Sequence, residues 1–89
     1  MIGETEAKVL AEEFGSSMVR QWGEWRCELR TWTPPNLSGC FAFSWRPTVL
    51  DSLGRPMRVG GNMPILVDEN SGECRFVRGM KEYRELSGK

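Results

Sequence analysis

Within the first thirty-two residues the hydrophobic repeat changes from helical to extended, and that change limits the chain to a helix docked on a sheet. Ala7, Leu10, Ala11 and Phe14 recur at i, i+3, i+4 and i+7, which is one face of an amphipathic helix over residues 4–14. Glu4 and Glu6 fall in its first turn, where the helix dipole favours carboxylates, and Gly15 is the expected stop. From Trp25 the repeat shortens to two. Trp25, Cys27, Leu29 and Thr31 share one side, and Arg26, Glu28, Arg30 and Trp32 share the other. Such a segment is a strand with one dry and one wet face, as antiparallel sheets require. Met18–Trp22 also reads as extended, with Gly23-Glu24 as a turn or bulge.

The rest of the chain supplies partners for that strand. Pro34-Pro35-Asn36-Leu37-Ser38-Gly39 is loop chemistry, because the prolines withhold N–H donors. Cys40–Trp45 is apolar on both faces and reads as the central strand, ended by Arg46-Pro47. Residues 48–56 read as an irregular connector with one helical turn, closed by Gly54. Ile65-Leu66-Val67 and Arg75-Phe76-Val77 form a hairpin across residues 68–72, with Gly72 at a left-handed position. Residues 79–86 make a short helix or a frayed tail. The expected fold is therefore α+β: an N-terminal helix packed on an antiparallel sheet of about four strands, with a short C-terminal helical segment.

Eighty-nine residues form one domain, 1–89, with a thin core that leans on four Trp and four Phe; each aromatic buries roughly 150–250 Å². Twelve Lys+Arg balance twelve Asp+Glu. A nucleic-acid partner calls for a basic excess, so none is expected. No apolar run is long enough for a membrane span, and the acidic N-terminus is unlike a signal peptide, which points to the cytoplasm. Cys27, Cys40 and Cys74 are odd in number and widely spaced, and there is no His. The three read as reduced, mostly buried thiols, and neither a metal nor another cofactor is expected. A Cys nucleophile would lack its usual imidazole partner, so the chain reads as non-catalytic.

Two groups of residues remain. In Gly60-Gly61-Asn62-Met63-Pro64 the proline fixes the entry to the next strand while Asn62 can bond nearby backbone, so Gly61, Asn62 and Pro64 read as structural. Asp68 and Gly72 do the same for the following turn. A phosphate-binding loop would feed a helix, whereas this one feeds a strand. Trp25 and Trp45 are assigned to the core. Trp22, Arg26, Arg30, Trp32 and Arg46 are the candidate partner-binding residues, since Trp and Arg are enriched in interface hot spots.

The segments Ser38-Gly39-Cys40-Phe41-Ala42-Phe43-Ser44-Trp45, Gly61-Asn62-Met63-Pro64-Ile65-Leu66-Val67-Asp68 and Ser71-Gly72-Glu73, with Lys81-Glu82-Tyr83 near the end, resemble the YrhB-like immunity-protein family of bacteria, also called immunity protein 35. The likeness covers residues 38–86. It departs where the family has Trp or Tyr early in the central strand and this chain has Cys40-Phe41. The resemblance implies a non-catalytic protein that binds and neutralises a cognate bacterial toxin. The alternative is a small chaperone-like or peptide-binding protein that works through an exposed strand edge. Whether the chain forms a homodimer stays open.

Overall fold

The computed structural model describes residues 1–60 and 62–88. In chain order the elements are α1 (Glu4–Met18), β1 (Glu28–Thr31), β2 (Cys40–Arg46), β3 (Ile65–Asp68), β4 (Cys74–Phe76) and α2 (Met80–Ser87). The strands form one antiparallel sheet in the order β1-β2-β3-β4, so each pairs with its neighbour in sequence. Leu29 lies opposite Trp45, Phe43 opposite Ile65, and Ile65 opposite Phe76. The α+β arrangement expected from the two hydrophobic repeats is the one present.

Alternation along the strands gives the sheet two covered faces. Leu29, Phe43, Trp45, Ile65 and Val67 point to one side and meet Ala7 and Ala11 of α1, with Trp22 completing this main core. The small residues Ala7, Ala11 and Gly15, spaced by four, form the buried stripe of α1 and let its backbone approach the sheet. Phe14 closes the far side against Phe76, ring centroids 5.0 Å apart. On the opposite face Ala42, Leu66 and Val77 form a smaller core with Trp32, Leu37, Met63 and, from α2, Tyr83 and Leu86. Burial of Ile65, Leu66 and Val67 in succession follows from this double cover.

The first turns of the chain differ from expectation. Gly15 does not stop α1, which runs on to Met18. A Cβ at Gly15 would overlap the six-membered ring of Trp22, so the glycine is there for close approach. Residues 18–22 are consequently the helix end and a run of turns: Val19 N–H donates to Gly15 O (2.8 Å), Trp25 N–H to Gln21 O (2.8 Å) and Cys27 N–H to Trp22 O (3.2 Å). The fold-back carries Trp22 beneath α1, where it is 5% exposed and tilts against Trp45 at 5.3 Å. Its indole N–H donates to Glu12 Oε1 (3.2 Å).

Candidate partner-binding surface

Residues 48–56 fold as an ordered arm in place of the irregular connector and helical turn expected from sequence. Met57 N–H donates to Val49 O (3.1 Å), Leu50 and Pro56 form a β-bridge, and Asp51 N–H donates to Arg55 O (2.7 Å). Gly54 N–H donates back to Asp51 O (3.0 Å) with Gly54 at φ +76°. A tight turn followed by a left-handed glycine is the three-residue hairpin connection. The Asp51 carboxylate fixes it further: Oδ1 accepts from Leu53 N–H (2.8 Å) and Arg55 N–H (3.0 Å), and Oδ2 lies 3.5 Å from Arg55 Nε. This network holds two leucines in solvent, Leu50 at 62% exposure and Leu53 at 72%.

The base of the arm is stitched to the segment before β1. Thr48 N–H donates to Trp25 O (3.0 Å) and Thr48 Oγ1 to Arg26 O (2.7 Å). Arg26 takes φ +49°, a left-handed conformation that side chains other than glycine rarely adopt. Across the β1–β2 pair, Glu28 accepts from Arg46 Nε (3.1 Å), with Arg46 Nη2 at 3.0 Å, and lies 3.8 Å from Arg30 Nε. Arg26, Arg30, Arg46, Arg55 and Arg58 are all exposed. Through these residues the β1 edge and the arm form one surface. A depression of about 400 Å³ between Arg46, Pro47, Pro56 and Arg58 continues it towards Asn62.

The candidate residues from sequence divide accordingly. Arg30 and Arg46 come together on Glu28, and Arg26 is exposed at the base of the arm, where its carbonyl accepts from Thr48. Trp22 is not on this surface: it is a core residue, held there by the vacancy at Gly15. Trp32 is half-buried and stacks on Tyr83, ring centroids 5.0 Å apart and planes 11° from parallel, so its place on the wet face serves to seat α2. Leu50 and Leu53, which no periodicity marks, also stand exposed on this surface. The spacing Asp51-x-x-Gly54 between Val49-Leu50 and Pro56-Met57 was the signal for the arm.

The proposed structural residues lie elsewhere, and Gly61 falls outside the described residues. Asn62 Nδ2 donates to Trp45 O (2.8 Å), while Trp45 Nε1 donates to Met63 O (2.9 Å), a reciprocal clamp between β2 and the approach to β3. Pro64 is buried, and its carbonyl accepts from Val77 N–H (2.9 Å). Asp68 Oδ1 accepts from the N–H groups of Asn70 (2.9 Å) and Ser71 (2.8 Å), which hold its carboxyl below the usual range. Gly72, at φ +78°, closes that turn, and a Cβ there would come to 3.0 Å from Leu10.

The thiols are half-buried, and burial raises the pKa of Cys27, Cys40 and Cys74, which keeps them protonated near neutrality. Among the described residues no helix is long and apolar enough to cross a membrane. Compared with protein-family models, with curated proteins and with solved structures, the chain matches none.

Proposed function

We propose that this chain is a non-catalytic binding protein of the immunity type, which holds a cognate protein toxin against the surface made by the β1 edge and the arm. The observation that carries this is the arm itself. Two leucines stand in solvent on a backbone already fixed by the Asp51 network, beside arginines that are themselves held in place by Glu28 and Asp51. Preorganised apolar contacts on one surface with exposed arginines lower the ordering cost of association, and arginine is enriched in protein interfaces. The wording of residues 38–86, which resembles the YrhB-like immunity proteins, supplies the class of partner.

Co-expression with each protein encoded by the flanking genes tests the proposal, and one of them should arrest host growth on its own. Host growth should be restored by the wild-type chain and lost again with Leu53→Ser combined with Arg58→Glu. Continued killing in the presence of well-folded wild-type chain would refute it.

A second reading has its own observation. Trp32 N–H donates to Ala42 O (2.8 Å), so ladder alternation turns the backbone amides of Leu29 and Thr31 away from β2 and leaves β1 an open edge. An extended peptide could add there, as a chaperone-like module requires. Suppression of aggregation across unrelated clients would favour this over immunity. The edge is only four residues long and carries Glu28 and Arg30, features that discourage strand addition.

A further inference from the structure

The chain is formally neutral, yet its charge is unevenly placed. Over residues 24–30 and 46–58, Arg26, Arg30, Arg46, Arg55 and Arg58 face only Glu24, Glu28 and Asp51. Helix α1 carries the opposite bias, with Glu4, Glu6, Glu12 and Glu13 against Lys8. Two of the arm-side carboxylates are already committed: Glu28 to Arg46 and Asp51 to Arg55 and two backbone N–H groups. Among the described residues Arg58 and Arg26 make no ion pair. The exposed leucines of the arm thus stand in a field of incompletely neutralised guanidinium groups.

From this we infer that the arm is a docking finger for an acidic segment of a partner protein, one that offers an apolar socket to Leu53 with Asp or Glu side chains around it. The inference rests on the arm being the contact surface and adds what the contacted surface must look like. The leucines require apolar cover that a nucleic-acid backbone does not supply, while the arginines select carboxylates and steer the approach. A basic partner is repelled by the same residues that would have to be desolvated against it.

The purified full-length chain tests this without knowledge of the natural partner. It is panned against a displayed random-peptide library, while single-stranded DNA and RNA oligonucleotides are titrated in parallel and sedimentation velocity is followed over a range of concentration. Selected peptides should combine acidic with apolar residues and bind less tightly as salt rises. Leu53→Ser and Arg58→Glu should each weaken them about tenfold or more, and Lys81→Ala on the remote α2 should leave them unchanged. Far-UV dichroism confirms that the variants fold. Neutral or basic selections, no selection, or indifference to both arm variants would overturn the inference. So would oligonucleotides binding more tightly than any peptide, or assembly of the chain on itself through Leu53, for which exposed Val9 among the α1 carboxylates offers a socket. Growth rescue by a chain that selects no acidic peptide would sink the docking chemistry and spare the immunity reading. Acidic selection without rescue would do the reverse.

Discussion

Gly15 shows how a single missing side chain can decide where a large one goes. With no Cβ at that position the Trp22 ring lies directly on α1 and reaches Trp45, and the turns after Met18 follow from that contact. Alanine would add helix propensity of roughly 1 kcal/mol, but it must displace a rigid ring that is already buried. Overpacking against that ring costs about 2–3 kcal/mol, so Gly15→Ala should lower the unfolding free energy by a net ~1–2 kcal/mol, measured by denaturant titration. An unchanged or raised midpoint would show that the approach of Trp22 is slack. Glu82 is the corresponding electrostatic residue. Arg75 grips it with two 2.8 Å hydrogen bonds and Arg78 N–H adds a third at 2.7 Å, which pulls its carboxyl from an ordinary 4.5 down to about 2. The unfolded chain then takes up the proton more readily than the folded one, so this contribution is complete above about pH 4.5 and fades as pH falls towards 2. Glu82→Gln should flatten the loss of stability over that window, as read from unfolding curves at successive pH values.

At the scale of elements, α2 is the piece whose attachment is easiest to test. Eight residues do not form a stable helix alone, so α2 depends on what it touches. It is held by the Arg75–Glu82 pair, by the Trp32–Tyr83 stack, and by Asn36, whose N–H donates to Leu86 O (3.0 Å) and whose Nδ2 donates to Glu85 O (2.7 Å). Trp32→Ala should cost about 1–3 kcal/mol and speed amide exchange selectively in α2. A double-mutant cycle with Tyr83→Ala should give a coupling of roughly 0.5–1.5 kcal/mol for the stack. A melting temperature untouched by Trp32→Ala would return Trp32 to the list of contact residues. The arm gives the opposite pattern. Asp51→Ala removes the turn acceptors from an exposed hairpin, so amide exchange in residues 50–56 should rise while global stability changes by less than about 1 kcal/mol.

At the scale of the whole molecule, the elements legible from sequence are those whose own pattern records which of their faces are covered. The helix face Ala7-Leu10-Ala11-Phe14, the alternation through β1 and the doubly apolar β2 each announce their own environment. What periodicity could not show was the second layer. Trp32 looked like an exception on a wet face because its cover, Tyr83, lies 51 residues further along the chain. Met18–Trp22 reads as extended from sequence because the close approach of Trp22 to Gly15, which turns the segment back, is encoded by no repeat. The arm was hidden for a related reason: its order comes from one carboxylate bonding backbone, and only Asp51 and Gly54 record it. The two covered faces leave the arm and the neighbouring arginines as one surface on which apolar and cationic groups stand together in solvent.

That surface is tested most directly by calorimetric titration of the wild-type chain and the Leu53→Ser/Arg58→Glu variant with the protein encoded beside it. Binding to the wild type should be saturable and weakened by salt, and the variant should lose about 2 kcal/mol or more of binding free energy while melting at the same temperature. Equal binding by both chains, or no heat with either, would contradict a docking role for the arm.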